Sequence, residues 1–469
     1  MSNQLHLFSQ FFIELGGLLP RFAVLNREFQ LLHVQSRHPL DFTSLPLAAT
    51  QAMQFFNLKD GDLVLLNEPT SGGLGAGDLT WITSVRGLIV GFRESYTTPW
   101  TLSAKRDEEG LRIPPTPLRL NGELNANLLE ILCQQGNASC QSDTFKQTVL
   151  NAIQTSRALS ERLSRALELR PEVLDKDQQK KHLAASRNYF LKKILDRVHG
   201  ETRVDMPLRT GEVLKLKVSS DDDGIKIDFS GSTPGQKLFM PESWTQSAVI
   251  AFVMDYINEK EFFNQGSFSS INLIKPQQSF LSAKTQQALA PAQRLGVSSL
   301  WSALHLAFFE LQPKSFPALH DYFPLQLQWN SQQGPKDFFL PSGSGAFRDR
   351  ESSSGYLLNR HTRTSLAAFN GDSHFEVIDL HERKLSSQKT ALSGGSGWSL
   401  KLKILQPVTM HWYGNNIKFP YRFPKNLSAV EPAEILVNNE ARNDVMGRLD
   451  LQAQDELVLN SGQGAGFNS

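Results

Sequence analysis

The chain has 469 residues, 40% hydrophobic and 20% charged, with 30 phenylalanines; this is enough apolar bulk to fill a large core and excludes disorder as the dominant state. Its 48 Lys and Arg against 47 Asp and Glu leave a net charge of +1, so no global field steers it toward nucleic acid or an anionic membrane. At about 150 residues per domain the length suggests roughly three units.

Residues 8–35 place Phe8, Phe11, Phe12, Leu15, Leu18 and Leu19 at helical spacing before Gly16-Gly17 and Pro20 interrupt it, which predicts one short helix and then a turn. From Gly61 the texture becomes strand-like: GDLVLLNEP, LTWITSV and GLIVGF, the last two around an Arg86-Gly87 hairpin signal, predict a β-rich unit over about 60–105. Residues 127–200 carry three helical patterns, with Gly136-Asn137, Pro171 and Gly200 as their stops. The third is basic (Lys180, Lys181, Arg187, Lys192, Lys193) and reads as a solvated face rather than a phosphate-binding surface. Leu214, Leu216 and Val218 then alternate with lysines, and Asp223-Gly224 turns into IKIDF as the clearest hairpin of the sequence. Helical patterns at 244–258 and 296–311 follow, and beyond about 340 short strands (HFEVIDL, SLKLKIL, AEILVN, DELVLN) alternate with Gly and Ser.

Common chemical signatures fail one by one. GGLGAGD at 72–78 lacks the G-x-G-x-x-G spacing and leads into a strand, and GSTPGQK at 231–237 lacks the spacing and terminal Ser/Thr of a phosphate loop. Cys133 and Cys140 form neither a disulfide framework nor a zinc ribbon. No window approaches the roughly 18 apolar residues of a membrane helix, and the N-terminus lacks the basic and apolar regions of a signal peptide, so a cytoplasmic address is expected. One alternation gathers ionisable groups: if 372–378 is extended, Asp372, His374 and Glu376 share a face, either as a base or cation site or as a solvated polar edge. Arg360, His361 and Arg363 form a second cluster with the same two readings.

Several blocks, in order, resemble the hydantoinase B/oxoprolinase family. Gly61-Asp62 through Asn67-Glu68-Pro69, then Gly72-Gly73 and Asp78, is similar to the family's GD-x-x-x-x-NDP-x-x-GG-T-H-x-x-D signature. Glu109-Gly110-Leu111-Arg112-Ile113-Pro114-Pro115 resembles its E-G-L-R-I-P-P block, Ile227–Ser232 its D-F-T-G-S turn, and the stretches SGGSGWS and SGQGAGF its C-terminal glycine-rich segments. The resemblance covers the chain from about residue 15 to its end. It implies an α+β fold with a β-rich N-terminal unit, a helical middle and a β-rich C-terminal region. Composition shifts divide this into 1–205, 206–340 and 341–469, together one hydantoinase B-like domain. It also implies a subunit for ATP-dependent hydrolysis of cyclic amides such as 5-oxoproline or hydantoins, with ATP used through a hydantoinase A-type partner and an ion (Mn, Fe or Zn) held in the early β unit.

The departures concern that ion. Where the family has T-H-x-x-D this chain reads Leu74-Gly75-Ala76-Gly77-Asp78, so Gly75 stands for histidine; the A-H-H-x-D block aligns with YTTPWTLS, placing Thr98, Pro99 and Thr101 at ligand positions; and the P-x-H position is Pro39-Leu40-Asp41, with His38 nearby. A catalytic divalent site needs about three protein donors and an open position, and Asp78 alone does not supply them. The expectation is a remnant ligand at Asp78, with Asp41, His38 and Glu94 as possible rescue donors, Asn67 and Glu68 orienting the loop, and Gly72 and Gly73 permitting close backbone approach to substrate. Two functions stay open: a cyclic-amide hydrolase subunit, or a non-catalytic scaffold or regulatory subunit that retains the fold and the partner interface.

Overall fold

The apolar run Leu63–Leu66 is buried along its whole length and becomes β3, the inner strand of the first sheet. The computed structural model describes residues 8, 10–12, 19–75, 77–95, 106, 109–135, 142–259, 263–284, 287–312, 320, 322–323, 325–332, 334–343, 354–356, 366–369, 371–383, 390–392, 395–418, 433–465 and 467–468. Around β3 lie β1 (Phe22–Leu25), β2 (Leu31–Gln35), β4 (Asp78–Val85), β5 (Leu88–Ser95), β6 (Thr116–Leu120) and β7 (Glu123–Leu124). They form an antiparallel sheet in the order β2-β1-β5-β4-β3-β6-β7. The β4–β5 hairpin turns at Arg86-Gly87, both at positive φ, as the sequence predicts; the twist of a two-residue turn of this kind matches that of its strands.

Beyond Pro20 the expectation of a turn is corrected: β1 and β2 pair there, and helical structure before them is limited to Phe8 and Gln10–Phe12 among the described residues. Their short apolar runs follow a helical pattern directly, and periodicity alone does not separate such runs from helix. A helix at Asp41–Phe55 follows, unanticipated because Pro46 lies inside it.

The helical middle is as expected, at Ala126–Gln135, Ser142–Leu169 and Lys176–Leu195. The last stops before Gly200, where Asp196 caps it. The next sheet runs β8 (Glu201–Pro207), β9 (Val213–Asp221), β10 (Gly224–Asp228) and β11 (Ile271–Ile274), with only the β10–β11 pair parallel. Gly224 belongs to β10 rather than to the turn, which is Asp222-Asp223; a Cβ at Gly224 would lie 2.1 Å from the Ser270 carbonyl oxygen. Helices Glu242–Tyr256 and Val297–Leu311 pack in the largest core, which also holds Ala48, Ala49 and Ala52 of the early helix.

The C-terminal region is a sandwich. Strands Phe375–Glu382, Trp398–Ile404, Glu456–Asn460, Glu434–Val437 and Glu440–Ala441 form one sheet; Gly334–Leu340, Leu325–Ser331, Val408–Tyr413 and Met446–Leu451 form the other. Leu327 and Trp329 of one meet Leu400, Leu402 and Leu459 of the other in a separate core. The architecture is α+β, as the sequence implies. Among the described residues no helix is long and apolar enough to cross a membrane.

Candidate functional site

Strand alternation places Asp78 and Thr80 of β4 on one face with their register partners Ser95 and Arg93 of β5. Asp41, in the first turn of the helix Asp41–Phe55, meets that face. Its carboxylate is fully buried and tied at both oxygens: Arg21 Nε donates to Oδ2 at 2.7 Å and Nη2 to Oδ1 at 3.0 Å, Arg93 Nη1 donates to Oδ1 at 2.5 Å, and Ser36 Oγ donates to Oδ2 at 2.6 Å. The remaining Arg21 nitrogen, Nη1, donates to Asp78 Oδ1 and also to Ser95 Oγ, which itself donates to Asp78 at 3.1 Å. Arg21 is thus the bridge between the two aspartates.

Burial raises the pKa of a carboxyl such as Asp41, but Arg21 and Arg93 outweigh burial and hold it well below the usual carboxylate range. Arg21 is shifted upward: burial opposes its charge, and Asp41 and Asp78 more than restore it. Arg93 is drawn down by burial and sustained chiefly by Asp41; it also donates through Nε to Thr80 at 2.9 Å and through Nη2 to the Gly72 carbonyl. His38 is pushed down to about 4, by burial first and then by the Arg21 charge. Arg294 completes the group: its charge lowers His38, while burial draws Arg294 itself down and Asp337 and Asp78 help to sustain it.

The loop before Asp78 is locked from several sides. Asn67 is buried, accepts from Ile113 N at 2.5 Å and donates to the Leu111 carbonyl at 2.9 Å, joining the NEP block to the E-G-L-R-I-P-P block. Glu68 caps the short 3-10 turn Pro69–Ser71 by accepting from Thr70. Gly72, at φ +91°, allows close approach to the early helix: a Cβ there would lie 2.3 Å from the Ser44 carbonyl oxygen, and one at Gly73 would lie 2.0 Å from Asn67 C. Trp244 Nε1 donates to the Gly73 carbonyl at 3.1 Å. Glu109 accepts from Leu289 N and from Ala290 N at 2.5 Å, and pairs with Arg112 at 2.5 Å. The cavity left beneath this loop is about 30 Å³, the space of about one water and far below a small-molecule pocket.

The structure brings Asp41, Asp78 and His38 together and keeps Glu94 apart: Glu94 pairs with Leu79, on the opposite side of the hairpin from Asp78. Thr98, Pro99 and Thr101 lie outside the described residues, as do Arg360, His361 and Arg363. The expected extended run from Asp372 begins only at Phe375. Asp372 instead accepts from His374 N at 3.0 Å and is 2.6 Å from His374 Nδ1, a local turn that competes with the strand, while Glu376 belongs to the strand proper. Sequence reasoning missed Arg21, Arg93, Ser36, Ser95 and Arg294. Arg93 carried a signal: an arginine inside the apolar run GLIVGFRES needs a buried acceptor.

A divalent ion needs about three donors converging on one point with room for water. Among the described residues no three His, Cys, Asp or Glu side chains do so. The two nearest carboxylates direct their oxygens at a fixed guanidinium, whose positive charge a metal would have to share. These residues do not fit a resident metal.

Two solved structures share the fold. An ATP-dependent caprolactamase from Pseudomonas jessenii superposes with a TM-score of 0.77 at 15% identity over 98% of this chain and 90% of its own. An acetone carboxylase, solved nucleotide-free in a study of ATP-dependent acetone carboxylation, gives 0.74 at 13% identity over 95% of this chain and 70% of its own. An uncharacterized protein of Methanocaldococcus jannaschii is 22% identical over 289 residues, 56% of this chain; the match spans about half of that relative's length. The hydantoinase B/oxoprolinase family model matches residues 21–467. The chain belongs to the hydantoinase B/oxoprolinase family.

Proposed function

We propose that this chain is a B-type subunit of an ATP-dependent assembly for cyclic amides in which the position of the ancestral ion is held by a side-chain cation, so that the chain contributes fold and interface rather than metal chemistry. One observation carries the reading: Arg21 bonds Asp41 and Asp78 simultaneously. A guanidinium offers only donors and cannot be deprotonated in a protein, so it neither coordinates water nor generates hydroxide.

In this reading Asp78 is a remnant ligand turned ion-pair partner, Asn67 and Glu68 hold the loop, and Gly72 and Gly73 serve its packing. Two features support an assembly: the family, and likeness to a caprolactamase and an acetone carboxylase whose reactions are ATP-dependent. A hydantoinase A-type subunit is the partner this implies, with ATP used there.

The test is co-expression with an A-type subunit, followed by elemental analysis and an ATP-dependent assay on 5-oxoproline and hydantoin. The expected result is a stable complex with far less than one Mn, Fe or Zn per B-type chain and no turnover that depends on Asp78. Stoichiometric metal that disappears in Asp78→Ala, or turnover abolished by the same change, would restore the hydrolase reading.

A further inference from the structure

A second concavity, of about 1180 Å³, opens where the β8–β9 turn, the loop Gln236–Phe239 and the C-terminal sandwich meet. No residue of the Asp41–Asp78 cluster lines it. Among the described residues six cationic side chains do: Arg106, Arg209, Lys237, Arg383, Lys418 and Arg442. Glu434 and Asp444 are the acidic residues on the same wall among the described residues, and Glu434 accepts from Asn460. In a chain whose net charge is +1, this is a local excess of four positive charges. Clustering like charges opposes folding unless a counter-charge arrives, and a concave wall focuses the field on one.

The cations sit on a prepared frame. Glu212, fully buried, accepts at Oε1 from Gln236 N (2.8 Å), Lys237 N (2.7 Å) and Leu238 N (2.9 Å), which fixes the loop that presents Lys237. Arg209 is clamped between the two halves of the cavity: its backbone N donates to the Asn416 carbonyl at 2.8 Å and its Nη2 to the Asn443 carbonyl. Arg383 Nη1 donates to the Ser461 carbonyl at 2.6 Å. Carbonyls orient these two guanidinium groups, and the nearby Asp444 carboxylate favours the charged form of Arg209. Among the described residues, Lys237, Lys418 and Arg442 make no ion pair. Phe239, Leu208 and Met446 add an apolar wall beside them.

We propose that this concavity binds a small organic phosphate carrying two or more negative charges, its phosphate groups held by Lys237, Arg209 and Arg442 and its organic part set against Phe239. Guanidinium forks match phosphate oxygens in geometry as well as charge. A volume at or above the usual range of roughly 300–1,000 Å³ for ligand pockets suits a ligand of nucleotide size better than inorganic phosphate. The site stands independently of the proposed function, because no part of it depends on the state of Asp78.

The test is isothermal titration of the full chain with pyrophosphate, ADP and citrate at low salt. It uses the native protein, a Lys237→Gln/Arg442→Gln variant, and a Lys180→Gln/Lys181→Gln control with equal charge loss elsewhere. The proposal expects one ADP per chain, bound more tightly than pyrophosphate, weakened at least tenfold in the cavity variant and unchanged in the control. Thermal melts of the three proteins should coincide, since all four substituted lysine and arginine side chains are exposed. Absence of binding by either phosphate, equal loss in the control, or citrate binding as tightly as ADP would each overturn it.

Discussion

Arg93 and Asp41 meet at 2.5 Å with both side chains wholly withdrawn from solvent. Removing one member of such a pair strands the other charge in a low-dielectric interior, at a cost of about 3–5 kcal/mol. Asp41→Asn should therefore lower the unfolding free energy by about that much, read from urea denaturation with an unchanged m-value. A loss under about 1 kcal/mol would mean that the pair is solvated in practice and that the bridge has little structural weight.

Arg21→Ala leaves Asp41 and Asp78 without their shared cation. The variant should be less stable than the native chain and should gain a response to divalent ions: Mn²⁺ or Zn²⁺ at a hundredfold excess over Kd would restore about 2.7 kcal/mol. Native protein should show no such gain. Differential scanning fluorimetry with and without metal makes the comparison, and parallel curves for the two proteins would argue against Arg21 as the occupant of an ion position.

The glycines of the loop separate two kinds of constraint. Gly75 adopts φ +91° with nothing within 4 Å of a Cβ, whereas a Cβ at Gly73 would overlap the Asn67 backbone. Gly75→Ala should cost about 1–2 kcal/mol, the ordinary strain of a left-handed alanine. Gly73→Ala should cost about 3 kcal/mol or more, because backbone cannot yield as a side chain can. Chemical denaturation of both variants decides it; equal losses would show that the loop relaxes freely.

These relationships were unevenly visible in the amino-acid order. Strand alternation and turn residues announce the β4–β5 hairpin, the β9–β10 hairpin and the sandwich strands at 398–404 and 456–460, because their patterns are local. The strands at 325–331, 408–413 and 446–451 were missed. They carry polar residues such as Gln326, Gln328 and Arg448, and they become strands through pairing with distant partners. The aspartates of the site could be read from motif order. Arg21 could not, since 20 residues separate it from Asp41 and 57 from Asp78, and only the folded sheet brings them together.

Acid should weaken the fold through buried imidazoles. Burial pushes His33 down to about 3 and His182 to about 4, and the neighbouring His182 lowers His33 further. His33 lies stacked on Phe12, with no hydrogen-bond partner at Nε2 among the described residues. Unfolded histidine takes a proton near 6.5, above either folded value, so the unfolded chain binds more protons throughout the interval. Stability is complete above about 6.5 and falls as the pH drops toward 4, by up to about 1.4 kcal/mol per unit for each group. Urea midpoints at several pH values should slope accordingly, and His33→Phe, which keeps the stacking, should flatten the slope. An unchanged slope in that variant would exclude His33 as a contributor.

The helix Asp41–Phe55 begins at the charged cluster and continues, through Ala48, Ala49 and Ala52, into the largest apolar core. Purifying selection for a folded chain is then sufficient to preserve an acidic residue at 41, whatever has become of turnover. On the reading proposed above, a motif search keyed to aspartates would pass this lineage as intact, and position 21 becomes the diagnostic column in a comparison of relatives, a basic side chain there accompanying loss of the inorganic cation.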